Sequence, residues 1–113
     1  MIEYSDFQKI ELKVAKIIEA ERVDGSEKLI KLKVSLGTEE RQIVAGIGKT
    51  YLPENLVNKE IIVVANLAPR QLMGLESQGM LLAAHDENGD PVILIPEKET
   101  PLGSQISWSG NRI

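Results

Sequence analysis

The chain has 113 residues, of which 42 % are hydrophobic, and a formal net charge of −4, which is the size and composition of one folded domain. The lack of cysteine excludes disulfides and thiolate metal sites, and the single histidine, His85, cannot form a metal site alone. No apolar run approaches the roughly 20 residues that span a bilayer, and the amino terminus has no signal-peptide pattern, so we expect no membrane partner, no metal, no cofactor and a cytoplasmic location.

The first half of the chain reads as a short helical turn and three strands. Residues 5–8 carry a capping-box pattern, with serine first and glutamine three positions later. Residues 10–21 predict a long, bent strand with a β-bulge near Ala15, where the alternation slips. Residues 28–36 alternate cleanly between apolar and polar side chains, which predicts a half-buried strand, and residues 41–47 return as the third strand of the hairpin.

The second half predicts a helix and further strands. Residues 53–57 read as one short helix with proline in its first turn. Two strands follow at 61–67 and about 78–84. The polar stretch 85–90 has the composition of a hairpin tip and leads into an apolar run at 92–95.

This order of elements predicts an all-β fold. Three strands, a short helix and then two or more strands are the element order of the OB-fold, a five-stranded Greek-key barrel. We expect a single domain spanning residues 1–113, with the barrel at about 10–95. Residues 1–9 and 96–113 are then terminal extensions.

Positive charge is concentrated in the middle third of the chain. Residues 1–27 have four Lys/Arg and seven acids, residues 28–70 have seven and four, and residues 71–113 have two and six. A local basic patch on an acidic protein binds phosphate while limiting non-specific attachment. From charge alone, the alternative is that these cations only solvate exposed strand faces.

The connection between the two apolar strands of the second half is rich in hydrogen-bonding groups. It spans residues 66–80, well beyond the two to five residues of a plain turn. Its polar side chains are those of Asn66, Arg70, Gln71, Glu76, Ser77 and Gln78. Amides, a guanidinium and a hydroxyl suit recognition of a polar ligand better than acid–base catalysis, since no second titratable partner accompanies them.

Several motifs in order along the chain carry a family resemblance. They are Asp6-Phe7-x-Lys9-Ile10-x-Leu12-x-Val14, Ser26-Glu27-Lys28-Leu29, Arg41-Gln42-Ile43-Val44-Ala45-Gly46-Ile47, Pro53-Glu54-x-Leu56-Val57, Val64-Ala65-Asn66-Leu67-x-Pro69-Arg70, Gly74-x-Glu76-Ser77-Gln78-Gly79-Met80 and Pro101-x-Gly103. With them, the chain resembles the tRNA-binding domain found at the carboxyl terminus of many methionyl-tRNA synthetases. The same domain occurs in a free-standing bacterial tRNA-binding protein and in the mammalian synthetase-complex cytokine precursor. The resemblance covers about residues 4–106.

The resemblance implies a non-catalytic module that binds the outer corner of tRNA and strengthens the hold of a synthetase on it. It also implies a homodimer built through segments outside the barrel. Apolar residues surplus to a minimal barrel suit that interface: Ile2, Tyr4, Phe7, Ile106, Trp108 and Ile113. Packing across the end of the barrel is the simpler alternative for them.

The residue patterns and the resemblance together predict a set of tRNA contacts. The predicted contacts are Lys28, Lys31, Lys33, Arg41, Asn66, Arg70, Ser77, Gln78 and Met80. Lys31 and Lys33 share a strand face at roughly 6.5–7 Å, close to the spacing of successive phosphates. Arg70 offers a planar, multi-donor phosphate contact. For Asn66, a bond that holds the loop is the alternative. For Ser77 and Gln78 it is satisfaction of the loop's own backbone, and for Met80 it is a place in the core.

Other functions have weaker support. A peptide-binding chaperone of the protein-export type shares the predicted fold and dimer, but its groove should be apolar where a tRNA site is basic. A docking module for a synthetase complex is a third reading. Gly46-Ile47-Gly48-Lys49-Thr50 lacks the first glycine of a nucleotide-binding P-loop, and no catalytic residues are predicted.

Overall fold

The structure, a computed structural model, describes residues 1–107. Within this range lie one short helix, α1, at Tyr4–Phe7, a 3₁₀ turn at Pro53–Asn55 and nine strands. The strands are β1 Leu12–Arg22, β2 Ile30–Ser35, β3 Glu40–Ala45, β4 Glu60–Val64, β5 Arg70–Leu72, β6 Leu75–Ser77, β7 Met80–Leu81, β8 Ala83–His85 and β9 Pro91–Ile93. No helix among the described residues has the length and apolar character needed to cross a membrane.

Five strands form one antiparallel sheet in the order β3-β2-β1-β4-β7. The sheet curls until β3 faces β7, which makes a nearly closed barrel and confirms the predicted OB-fold. Two hairpins, β5–β6 and β8–β9, stand beside it. Closure leaves few free sheet edges, which are otherwise sites of unwanted strand pairing.

The alternation of β2 builds the core as predicted. Ile30, Leu32 and Val34 are fully buried, while Lys31 and Lys33 lie on the other face. Burial of each such apolar side chain contributes roughly 1.5–3 kcal/mol. Leu56, just after the 3₁₀ turn, is also fully buried and packs in the same core.

The β-bulge lies two to four residues later than the sequence pattern predicts. The register between β1 and β2 shifts between Ile17 and Glu19, not near Ala15. Before the shift Ile17 opposes Val34, and after it Glu19 opposes Lys33. Because a one-residue shift exchanges the two faces of a strand, the bulge decides which side chains of β1 meet the lysines of β2.

Two local predictions are corrected. The cap of α1 is Glu3 instead of Ser5, and its backbone N–H donates to the Asp6 carboxylate at 3.0 Å. The connection 66–80, predicted as a loop, contains the β5–β6 hairpin, which turns at Met73 and Gly74 with positive φ angles of 49° and 79°. Such turns match the twist of a two-stranded ribbon.

The carboxyl-terminal extension lies along the start of β1. The Val14 N–H donates to the Ser104 carbonyl at 2.9 Å, and the Ile106 N–H donates to the Leu12 carbonyl at 2.8 Å. Gly103 has a φ of +83°, and a Cβ there would lie 2.4 Å from the Leu36 carbonyl oxygen, so glycine is required for this approach. Of the apolar residues predicted at an interface, Trp108 and Ile113 lie outside the described residues.

Candidate nucleic-acid interface

The barrel closes where β3 meets residues 76–79, which we call the closure segment. Ser77 is 3 % exposed, and its hydroxyl accepts a hydrogen bond from the Val44 N–H at 3.0 Å and donates one to the Gly79 carbonyl at 3.1 Å. The hydroxyl thus serves the backbone of both sides of the closure. Burial and these two bonds argue against the direct tRNA contact predicted for Ser77.

Gln78 forms the adjacent part of the closure. Its N–H donates to the Gln42 carbonyl at 2.7 Å, and its side-chain oxygen accepts from the Gln42 N–H at 3.0 Å. Its side-chain nitrogen donates to the Glu76 carboxylate at 3.3 Å. Both ends of the amide are therefore engaged within the fold, so an RNA contact at Gln78 would compete with these bonds.

Gly79 is required by packing rather than by a ligand. Its φ is +144°, and a Cβ there would lie 3.0 Å from the Val64 carbonyl oxygen and 3.4 Å from the Ile43 side chain. A larger residue would push the closure segment away from β4 and β3. The close approach that this glycine permits is between parts of the barrel.

Asn66 fastens the amino-terminal segment to the end of β4. Its side-chain oxygen accepts from the Glu11 N–H at 2.9 Å, and its side-chain nitrogen donates to the Lys9 carbonyl at 2.7 Å. Both functional atoms of the amide are used, across more than 50 residues of sequence. The structure thus favours the architectural alternative for Asn66.

Arg41 also bonds mainly to the protein itself. Its guanidinium donates to the Ala65 carbonyl and, at 3.4 Å, to the Gln78 carbonyl. It forms an ion pair with Glu39 at 2.7 Å. Arg41 therefore links β3 to the end of β4 and to the closure segment, with its charge already paired.

The two lysines of β2 face acidic residues of β1. Lys31 Nζ lies 2.5 Å from a Glu21 carboxylate oxygen, and Lys33 Nζ lies 3.7 Å from one of Glu19. Lys33 also lies 3.8 Å from a carboxylate oxygen of Glu40 on β3. We call these five residues the lysine face. It lines a concavity of about 500 Å³, together with Arg41 and Gln42.

The acidic partner alters the titration of Lys31. The hydrogen bond to Glu21 raises the pKa of the Lys31 ammonium above its usual value, the Coulombic attraction to Glu21 adds to the shift, and desolvation opposes it. The ammonium is thus held in its charged form by a partner that also neutralises it. Lys31 and Lys33, which are predicted to contact phosphate, both lie on this face, and each has a carboxylate neighbour.

A second surface gathers the predicted contacts that the fold leaves unpaired. Arg70, Met80 and His85 line a cleft of about 330 Å³ whose floor includes the backbone of Gly46. We call it the Gly46 cleft. Arg70 and Met80 are exposed, and among the described residues Arg70 has neither an ion pair nor a side-chain hydrogen bond. A free guanidinium beside an apolar side chain can hold a phosphate and an adjoining base.

Lys28 and His85 complete the surroundings of Gly46. The Lys28 side chain runs past Gly46, since a Cβ there would lie 2.9 Å from Lys28 Cε. Lys28 is exposed and has no ion pair within residues 1–107. His85, which the sequence analysis placed only in a polar turn, ends β8 and reaches the cleft. Its position at the start of that turn is the one signal that could have pointed to it.

Metal chemistry has no support in the described part of the chain. No three residues of the His, Cys, Asp and Glu types come together there in a way that could hold a metal ion. The Gly46 cleft offers the guanidinium of Arg70, which is unpaired within residues 1–107 and suits an anion, whereas the cations of the lysine face are paired with carboxylates.

Comparison with known proteins agrees with this chemistry. A family model described as a putative tRNA binding domain matches residues 12–105. A methionine–tRNA ligase of Caldanaerobacter subterraneus subsp. tengcongensis is 58 % identical over 106 residues, covering 94 % of this chain and 16 % of the ligase. The chain thus spans about a sixth of the length of the curated relatives it matches.

Solved structures resemble the whole fold. A MetRS-related protein from Pyrococcus horikoshii superposes with a TM-score of 0.90 at 39 % identity, covering 95 % of this chain and 98 % of that one. The chaperone CsaA from Bacillus anthracis str. Ames gives 0.87 at 32 % identity, covering 95 % and 99 %. The same barrel therefore serves proteins described as synthetase-related and as chaperones.

Proposed function

Because this chain belongs to the putative tRNA binding domain family, we propose that it is a non-catalytic module that binds tRNA for a methionine–tRNA ligase. The observation that carries the proposal is the 58 % identity to such a ligase over 94 % of the chain. A module without chemistry of its own contributes affinity. Its contact with the RNA raises the effective concentration of the tRNA near the enzyme's own binding site. The cytoplasmic location stays a prediction.

The proposed contact surface begins at the Gly46 cleft. Arg70 is its phosphate-binding cation, Lys28 adds a second cation next to Gly46, and Met80 supports a base or ribose by van der Waals contact. The lysine face is the second contact surface, through Lys31 and Lys33. Asn66, Arg41, Ser77 and Gln78 act by holding these two surfaces in place, as their bonds within the barrel favour.

Salt dependence of binding tests the proposal. Each phosphate contact to a cation adds roughly 0.7–0.9 to the slope of log affinity against log salt, so Lys28, Arg70 and the two lysines of β2 predict a slope near three. Filter binding of the isolated chain to total tRNA between about 50 and 200 mM salt measures it. Absence of binding at the low end, or an affinity that salt does not change, would overturn the proposal.

A chaperone function is the second candidate, favoured by the likeness to CsaA and by an exposed apolar strip at Val92, Leu94 and Ile95, which are 45 %, 41 % and 58 % exposed. Its ligand would be an extended apolar polypeptide, whose binding strengthens or persists as salt rises. If the chain binds an unfolded polypeptide at high salt but binds no tRNA at any salt concentration, the chaperone function replaces the proposed one.

A homodimer completes the proposal. Tyr4, Phe7, Ile10 and Ile106 line a groove between α1 and the carboxyl-terminal segment, and Ile2 is 69 % exposed beside α1. A second copy offering the same groove would bury these apolar side chains in a two-fold interface. It would also place two tRNA surfaces on one rigid particle.

Sedimentation of a charge variant tests the dimer. Tyr4→Glu should shift the chain toward monomer, since Tyr4 is 50 % exposed and a carboxylate in an apolar interface is costly. Leu52→Glu is the matched control, because Leu52 is 51 % exposed and lies away from the groove. Wild-type protein that sediments as a monomer at micromolar concentration would contradict the dimer.

A further inference from the structure

The acids of the lysine face are placed opposite the lysines by backbone register. After the bulge, Glu19 opposes Lys33 and Glu21 opposes Lys31 as direct cross-strand neighbours. Opposed residues on one face of an antiparallel pair have Cβ atoms about 4.5–5.5 Å apart. The ion pairs at 2.5 Å and 3.7 Å are therefore built into the strand pairing, not chance contacts of long side chains.

The charges of this concavity cancel. Its lining holds three acids, Glu19, Glu21 and Glu40, and three cations, Lys31, Lys33 and Arg41. An incoming phosphate thus meets no net positive potential from the groups nearest to it. To bond a lysine, it must approach an ammonium that already has a carboxylate oxygen nearby, at 2.5 Å for Lys31 and 3.7 Å for Lys33.

Fold stability does not account for these pairs. Exposed ion pairs contribute little to folding because solvent screens them, and the side chains of Glu19 and Glu21 are 69 % and 64 % exposed. Their effect on a phosphate is more direct, since each places a negative charge beside the ammonium that the phosphate approaches. The raised pKa of Lys31 reflects the same pairing with Glu21.

We propose that Glu19 and Glu21 are specificity-determining residues that compete with RNA phosphate for Lys31 and Lys33. This inference rests on the proposed function. A polyanion that reaches only the lysine face must bind Lys31 and Lys33 against the repulsion of their two carboxylate partners, and it has no other contacts to offset that repulsion. A folded RNA that also engages the Gly46 cleft gains binding free energy from contacts that no carboxylate opposes. That gain compensates for the repulsion at the lysine face.

A double-mutant cycle on tRNA affinity tests the competition. Glu21→Gln should tighten binding roughly twofold to fivefold, the fold-change that corresponds to an exposed ion pair. In a Lys31→Met background, Glu21→Gln should change the affinity for tRNA no more than removal of a negative charge far from the lysine face does. Glu54→Gln supplies that reference, because Glu54 is exposed and forms no ion pair among the described residues. Glu19→Gln with Lys33→Met repeats the cycle at the other pair.

The outcomes separate the inference from the function on which it rests. Equal gains from Glu21→Gln with and without Lys31, or a gain no greater than that of Glu54→Gln, would overturn the competition while leaving tRNA binding intact. A wild-type chain that binds no tRNA would overturn both. Circular dichroism melts of each variant confirm that the barrel is folded in every arm.

Discussion

The residues between Asn66 and Met80 divide into two groups that the sequence does not distinguish. At both ends of this stretch, polar side chains form hydrogen bonds to backbone groups that are distant in sequence, namely those of Asn66, Ser77 and Gln78. Arg70 and Met80 lie between and beside them yet remain exposed at the Gly46 cleft. Polar side chains in one connection can therefore serve closure of a barrel or contact with a ligand, and the hydrogen-bond partners reveal which.

The largest expected effect is on the ligand side. Arg70→Ala should weaken tRNA binding about tenfold or more, because hydrogen bonds to charged groups contribute roughly 1.5–3 kcal/mol. The unfolding free energy should change little, since Arg70 forms no side-chain bond within the described barrel. Lys98→Ala, at an exposed cation with no ion pair in residues 1–107, is the matched control for loss of one positive charge. Unfolding of Arg70→Ala would move this residue into the architectural group.

The next effect is on the closure side. Ser77→Ala should lower the unfolding free energy by about 1–3 kcal/mol, because the buried Val44 N–H loses its acceptor. Urea denaturation measures the change, and Ser5→Ala, at an exposed hydroxyl, is the control. Any loss of tRNA affinity should follow the fraction unfolded. A stable Ser77→Ala variant that loses tRNA affinity would show that the hydroxyl contacts RNA after all.

A smaller effect is expected at the exposed end of the closure segment. Gln78→Ala should cost about 0.5–1.5 kcal/mol, the usual net value of a neutral hydrogen bond, because the Gln42 N–H loses its acceptor. Gln71→Ala, at an exposed amide on β5, should cost less. Equal melting temperatures for the two variants would argue that solvent replaces the Gln78 side chain without loss.

The smallest effect concerns the lysine face. Glu21→Gln should return the pKa of Lys31 toward its usual value, because it removes the carboxylate charge and leaves only a neutral amide oxygen as hydrogen-bond acceptor. In the wild type, this pairing stabilises the fold below the unfolded pKa of lysine, and the contribution disappears as pH rises through the higher folded pKa. NMR titration of the Lys31 side chain measures both states. An unchanged pKa in Glu21→Gln would show that another group holds the ammonium.

The sequence by itself determined the long strands of the first half, their core residues and the fold class, but not the β5–β6 hairpin. Alternation at period two is a local property, so Ile30, Leu32 and Val34 could be assigned to the core without knowledge of their neighbours. The order of strands and one short helix then sufficed for an OB-fold. The predicted contacts Arg70, Lys28 and Met80 could be named from residue type. The structure places Arg70 and Met80 at one cleft and the Lys28 side chain next to Gly46, which lines that cleft.

Only the tertiary structure decided which polar residues are free. Ser77 and Gln78 find their partners 33 and 36 residues away, on β3, and no local pattern encodes such a distance. The position of the bulge between Ile17 and Glu19 was likewise decided only by the tertiary structure. A shift of one residue sets whether the lysines of β2 meet acids or apolar side chains. Barrel closure and strand register are long-range properties, and at this surface they separate the residues that hold the fold from those that remain exposed.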